Sequence, residues 1–184
     1  MNKKRVKVGK YKTVFNGVIF KIKQAKAIFP SGKVKTFEQA VRPVSVTIMA
    51  IDNKGQLLLT REYRQKYKRY LWRLPAGRVE KNESPLKAAQ RELREETGFK
   101  ARKIKLFNFS DMGQSLDWKR YTYLATELKP APLAGDEDED IKVIPTPIKK
   151  AFGMVLKSKI QSMDMAYLIL KLYNQKYGLK KFIN

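Results

Sequence analysis

Residues 77–99 read GRVEKNESPLKAAQRELREETGF, and the reading of this stretch decides the fold. It holds Gly77, then Glu83, then Arg91-Glu92-Leu93, then Glu95-Glu96, and Gly98 before the apolar Phe99. Ser84 is a good N-cap, because its hydroxyl can accept an early backbone N–H. Pro85 suits the first helical position, where a missing N–H costs nothing. Gly98 suits the left-handed residue that ends a helix. The spacing predicts a helix from Pro85 to Thr97. Leu86, Ala89 and Leu93 recur at helical spacing and form its expected buried stripe. Glu92, Glu95 and Glu96 share another face. Three carboxylates crowded there repel one another unless something positive sits between them. Hard oxygen ligands of this kind suit Mg2+, with Mn2+ as the second choice. Arg91 can pair with Glu95, one turn on, or with Glu83. Taken alone, R-E-L-R-E-E is what a solvated charged face looks like; two glycines and Glu83 in register argue for chemistry instead.

The rest of the composition narrows what that chemistry can be. A chain of 184 residues with 43% apolar content fits one domain with a real core. It has no cysteine, which excludes disulfides, zinc–thiolate sites and thiol nucleophiles and fits a reducing, cytoplasmic compartment. It has no histidine, so a serine–histidine triad and histidine-ligated metal are excluded. Acid–base work must fall to carboxylates, lysine or tyrosine. No long apolar run predicts a membrane span, and the basic start MNKKRVKVGKYK has no apolar segment behind it, so it is not a secretory signal.

The formal charge is +23, from 40 Lys+Arg against 17 Asp+Glu. Such a field attracts polyanions, RNA among them. The lysines are scattered, however, and no basic stretch is interleaved with aromatics, so RNA binding is not expected to be the function. The acidic residues are more informative. Ten of the 17 lie in two short stretches: Glu80, Glu83, Glu92, Glu95 and Glu96, and the run Asp136 to Asp140. That concentration suggests metal sites rather than a solubilising surface. The run does not fit an EF-hand, because Ile141 stands where the loop glycine belongs and Pro147 where the last glutamate belongs.

Along the chain, Thr13 to Ala27 reads as a strand, and Pro30-Ser31-Gly32 turns it back into Val34 to Val41 as a hairpin. Val44 to Ile51 is a continuous apolar run, expected as a buried strand, and Gln56 to Arg64 follows the turn at Asp52 to Gly55. Leu71 to Leu74 is short and extended. Strands are expected near Lys103 to Phe109, Lys119 to Ala125 and Ile141 to Ile144, with a loop from Lys129 to Asp140. Helices are expected from Pro147 to Leu156 and from Asp164 to Tyr177. In the second, Met165, Leu168, Leu172 and Tyr173 have the spacing of a core face. Mixed strands with helices on both sides give an α/β class, an α/β/α sandwich of mixed sheets, with an N-terminal antiparallel hairpin extension over residues 1–42 ahead of a domain over residues 43–184.

The 77–99 stretch resembles the Nudix box, G-x5-E-x7-R-E-U-x-E-E-x-G-U with U apolar, with every defined position filled. The resemblance extends over most of Val14 to Tyr173. Arg61-Glu62-Tyr63-Arg64 followed by Leu74-Pro75-Ala76-Gly77 is similar to the R-Q-Y-R…L-P-A-G lead-in of ADP-ribose pyrophosphatases and their nucleotide-sugar relatives. It departs from that branch in having Glu62 for glutamine, Arg73 for glutamate before L-P-A-G, and no proline in Asp111-Met112-Gly113-Gln114-Ser115.

The resemblance implies metal-assisted hydrolysis of a nucleoside diphosphate linked to a second group, ADP-ribose first, giving a nucleoside monophosphate and a sugar phosphate. It implies Glu92, Glu95 and Glu96 as metal ligands with the backbone carbonyl of Ala76 as a fourth, and Arg91 holding the carboxylates in place. It places the general base in the acidic loop, at Glu137 or Glu139. Arg61 and Arg64 are candidates for binding the phosphates or stacking on a base, against a surface role for lone strand arginines. The N-terminal strands imply a homodimer. The alternatives from other classes are RNA 5′-end pyrophosphohydrolysis, favoured by the charge, and a non-catalytic nucleotide-sensing or RNA-binding domain, which typically loses box glutamates that this chain keeps.

Overall fold

A computed structural model of the chain describes residues 5–113, 115–134 and 140–178. It divides into two compact units. The first comprises Met1–Ser45 with Phe109–Arg120, the second Val46–Asn108 with Tyr121–Asn184.

The first unit is a five-stranded sheet. β1 (Lys7–Val8), β3 (Lys21–Ile28), β4 (Val34–Val41) and β10 (Leu116–Asp117) lie in that order, and β2 (Lys12–Asn16) also pairs with β3. β3 and β4 form the expected hairpin, in continuous register from Lys21↔Val41 to Ile28↔Val34. Gly32 in its turn has φ 82°, which a side chain would resist. The single strand expected from Thr13 to Ala27 is instead two, folded back at Gly17, whose N–H donates to the Phe20 carbonyl at 2.8 Å. The signal is Asn16-Gly17, a strong hairpin-turn dipeptide inside an otherwise strand-like run. β10 joins β4 in parallel, Leu116 opposite Ala40. The Trp118 indole N–H donates to the Ser45 hydroxyl at 3.0 Å, and the Arg42 guanidinium lies 4.0 Å from that ring's centroid and 5.2 Å from that of Phe20.

The second unit holds two sheets and three helices. One sheet orders β8 (Ala76–Arg78), β5 (Ser45–Ala50), β11 (Lys119–Pro130) and β9 (Phe99–Asp111). The other orders β12 (Ile141–Pro147), β6 (Gln56–Arg64) and β7 (Arg69–Arg73), all antiparallel. Side chains alternate across β5 and β6, and both faces are covered. Met49, Leu57 and Leu59 pack with α2 (Ile148–Leu156) and α3 (Met163–Tyr177). Val46, Ile48, Ala50 and Leu58 pack with Ala88, Ala89 and Leu93 of α1 (Pro85–Thr97). That is the expected helix–sheet–helix arrangement, and it explains why β5 and the start of β6 are runs of apolar residues rather than alternations.

The bounds of β4, β6 and α1 are those read from the sequence. β9, β11 and β12 run longer than expected, and β11 takes Lys129 and Pro130 out of the predicted loop. Met165, Leu168, Leu172 and Tyr173 are all buried in α3. The α1 stripe differs in one member: Leu86 is 44% exposed, and Ala88 is fully buried beside Ala89 and Leu93. Helical side chains lean toward the N-terminus, so one in the first turn reaches beyond the covered length of the helix. Among the described residues, no helix is long and apolar enough to cross a membrane.

This packing predicts an ordered series of stabilities. Leu93→Ala should lower the free energy of unfolding by about 2–5 kcal/mol, through lost burial and a cavity. Ser84→Ala should cost about 1 kcal/mol, through loss of the cap bond to the Lys87 N–H. Leu86→Ala should cost well below Leu93→Ala. Urea unfolding of the three variants measures this; equal losses for Leu86 and Leu93 would contradict the packing.

Candidate active site

The helix α1 is fixed at both ends. The Ser84 hydroxyl accepts from Lys87 N at 3.3 Å, and Gly98 closes it with φ 75° and its N–H on the Arg94 carbonyl. Between them the polar face is organised by one side chain. Arg91 Nε donates to Glu83 Oε1 at 3.1 Å and Nη2 to Glu83 Oε2 at 3.0 Å. Nη1 donates to Glu92 Oε1 at 2.7 Å and to Glu95 Oε2 at 2.9 Å, and Nη2 also reaches the Arg78 carbonyl at 2.8 Å. Both pairings anticipated for Arg91 are therefore made at once. The Arg91 guanidinium holds the Glu83 carboxyl below its ordinary pKa, and the Glu80 N–H, 3.0 Å from Glu83, adds to the effect. In return Glu83 and Glu92 push the Arg91 guanidinium further up, so it stays charged at every working pH.

The strand β8 lies against the same face. A Cβ on Gly77 would overlap the Glu92 carboxylate where it now lies, so glycine lets that side chain come close to the strand. The Ala76 N–H donates to Glu96 Oε1 at 3.3 Å, and Glu96 Oε2 is buried. Ala76, expected to contribute through its carbonyl, thus touches the acidic face through its amide. Glu92 and Glu95 thus meet on Arg91, Glu92 also lies beside Gly77, and Glu96 meets the Ala76 N–H. Among the described residues, no three carboxylates converge on a point as they would around a cation; Arg91 Nη1 is the positive group between Glu92 and Glu95. Carboxylate oxygens of this kind are the hard donors that suit a divalent metal ion.

The two candidate substrate arginines do not stand together. Strand alternation puts Arg61 with Leu57 and Leu59 on the α2–α3 side, and Arg64 with Leu58 on the α1 side. Arg61 stacks its guanidinium 5.0 Å from the Trp72 ring centroid and 5.5 Å from that of Tyr70, and donates to the Tyr70 carbonyl at 3.4 Å. Arg64 pairs with Glu62, and Arg73 Nε lies 4.0 Å from the same Glu62 oxygen. The general-base candidates Glu137 and Glu139 lie outside the described residues. Asp140, at the end of their run, is described. Its carboxylate accepts from the Tyr70 hydroxyl and its carbonyl from Tyr63 N at 3.4 Å. Sequence reading named Glu62 in the lead-in and Asp140 in the acidic run, but not their pairing with Arg64 and Tyr70.

Residues 41–157 match the family model described as NUDIX domain. The chain belongs to the Nudix family. It is 29% identical over 159 residues to the ADP-ribose pyrophosphatase of Bacillus subtilis, covering 85% of this chain and 86% of that one. It is 34% identical over 152 residues to the ADP-ribose pyrophosphatase of Mycobacterium tuberculosis, covering 80% and 73%. The solved structure of an ADP compounds hydrolase shares the fold with TM-score 0.79 at 24% identity, over 96% of this chain and 98% of that one. Nudix hydrolases generally work with divalent metal ions, and the carboxylate face of this Nudix chain has the chemistry to hold one.

The depressed Glu83 carboxyl makes a pH prediction. A group with a folded pKa below its unfolded value stabilises fully above the unfolded pKa, about 4.3 for glutamate, and that stability is lost as pH falls through the folded value. The stability of the wild-type chain should therefore fall with acid below about pH 4. Arg91→Gln should flatten that part of the profile, as thermal melts from pH 3 to 7 would show. Parallel profiles for the two proteins would remove Glu83–Arg91 as the cause.

Proposed function

We propose that this Nudix chain hydrolyses the diphosphate of ADP-ribose or a closely similar nucleoside-diphosphate sugar, releasing a nucleoside monophosphate and a sugar phosphate. The observation that carries it is the intact face of Glu92, Glu95 and Glu96, held by Arg91 against Ala76–Gly77. It occurs in a chain similar over most of its length to enzymes named ADP-ribose pyrophosphatase. Non-catalytic readings gain nothing from a face this complete.

Glu92, Glu95, Glu96 and the Ala76 carbonyl would hold Mg2+ or Mn2+. When bound, the ion neutralises the diphosphate and lowers the pKa of water at the site. Arg91 keeps the carboxylates aimed and close, at a distance where they would otherwise repel. With no histidine in the chain, the base falls to a carboxylate, lysine or tyrosine, and the resemblance points to Glu137 or Glu139. Arg64 faces the α1 side and is the better placed of the two arginines to meet a phosphate.

Residues 1–42 we read as an extension serving homodimerisation, ahead of a catalytic domain over residues 43–184. What supports this is the apolar surface of the first unit: Val14, Phe15 and Val18 are 56%, 59% and 95% exposed. A second copy of the chain would cover it. The absence of cysteine supports a cytoplasmic setting. The charge of +23 favours RNA 5′-end pyrophosphohydrolysis as the second reading.

Glu96→Gln or Glu95→Gln should lower kcat by on the order of 10³-fold with the melting curve kept. Released monophosphate from ADP-ribose, with Mg2+ and with excess EDTA, measures it. Near-normal turnover in the variants, or full activity in EDTA, would sink the assignment; a higher kcat/KM for 5′-triphosphate RNA would promote the second reading. Light scattering at micromolar concentration should give a dimer mass, and a monomer would reject the role of the extension.

A further inference from the structure

Two of the positions at which this chain departs from the branch it resembles are partners in space. Glu62 stands for glutamine and Arg73 for glutamate, and Arg73 Nε lies 4.0 Å from Glu62 Oε2. Arg64, two residues along the same strand and on the same face, pairs with that oxygen as well. The Glu62 side chain is 12% exposed, while those of Arg64 and Arg73 are 48% and 42% exposed. Among the described residues, the ion pairs of both arginines go to Glu62 alone. One shielded carboxylate thus pairs with Arg64 and lies within 4.0 Å of Arg73, and each guanidinium keeps N–H donors for another acceptor.

The trio lies on the sheet face that α1 covers, and Arg73 is close along the chain to the strand that meets the acidic residues. Arg73 is opposite Thr60, and Thr60 is opposite Val143. Val143 and Leu58 pack on Ala88, Ala89 and Leu93 of α1. From Arg73 the chain reaches Ala76 in three residues, about 10 Å of extended backbone. Relative to glutamine and glutamate at these positions, the two changes leave the wall more positive by one charge.

We propose that Arg64 and Arg73, positioned by Glu62, form an anion clamp that selects substrates with a further anionic group beyond the diphosphate. This rests on the hydrolase reading above and sharpens its substrate class. The added anion can sit on the sugar or on the nucleoside, and phosphorylated forms of ADP-ribose separate the two. Glu62 is a positioning residue, and the arginines are the contacts.

The test compares kcat/KM for ADP-ribose, ADP-ribose 1″-phosphate and ADP-ribose 2′-phosphate at fixed salt with Mg2+. One phosphorylated compound should exceed ADP-ribose by about tenfold or more, the size of one charge-assisted pair. Arg73→Gln and Arg64→Gln should bring that ratio toward one. Glu62→Gln should raise KM for the favoured compound while leaving its kcat, a split that a general loss of folding would not give. Turnover of ADP-ribose with both phosphorylated compounds equal or worse would overturn the clamp and leave the hydrolase reading standing. So would a preference that survives both arginine changes. Failure to hydrolyse all three would count against the hydrolase reading, and calorimetric affinities of the same compounds for the chain would then decide the clamp by the same ordering.

Discussion

The guanidinium of Arg91 is the interaction on which the site depends. Its three nitrogens reach Glu83, Glu92, Glu95 and the Arg78 carbonyl, which ties the end of the loop, the end of β8 and two turns of α1 into one body. A lysine could not do this, because a single ammonium lacks the planar fork that two carboxylates share. Without a cation at that point, Glu92 and Glu95 would repel across less than a helical turn. The arginine therefore permits the carboxylates to be crowded at all, and it does so with its side chain only 22% exposed, where water screens the attraction weakly.

That body would be useless if the strand in front of it could drift. The strand comes close to the helix at Gly77, where the Glu92 carboxylate occupies the space a Cβ would take, and the Ala76 N–H meets Glu96. Ile48 N donates to the Pro75 carbonyl at 2.8 Å, so the β8 segment is anchored to β5, whose side chains form the core under α1. Packing of Leu93, Ala88 and Ala89 thus sets the distance between helix and strand, and the polar face inherits that distance.

Much of this was legible from residues 77–99, because local chemistry decides it. Ser84, Pro85 and Gly98 mark the ends of α1 through backbone preferences that hold in almost any surroundings. Arg91 with Glu83 and Glu95 follows from helical spacing and a short loop. What was not legible is pairwise and distant in sequence. That Arg61 and Arg64 part to opposite faces follows from strand alternation, but which face carries α1 is decided by Leu57, Leu58 and Leu59, all apolar and all buried. A strand covered on both sides has no polar face to read. The split of Thr13 to Ala27 was legible in Asn16-Gly17 and hidden by the apolar residues around it. The exposure of Leu86 depends on where α1 begins relative to the sheet, which periodicity does not contain.

The site also has to admit an anion to a place built of carboxylates. A diphosphate approaching Glu92, Glu95 and Glu96 meets repulsion that the chain must offset. The surplus of 23 positive charges attracts it from a distance. At physiological ionic strength, however, that attraction fades over about 8 Å, so scattered surface lysines steer the approach and contribute little to the final contact. The last few ångströms fall to fixed charges on the rim of the acidic face. In the clamp proposed above, Arg64 and Arg73 would be such charges, with Glu62 neutralising only one of the two. Placing that carboxylate among the arginines, rather than among Glu92, Glu95 and Glu96, would let the approach stay positive while the acidic face stays negative. The two requirements of the chemistry, hard oxygen donors for a cation and a positive approach for the substrate, would thereby be met by separate elements of one unit, the helix α1 and the strands β6 and β7.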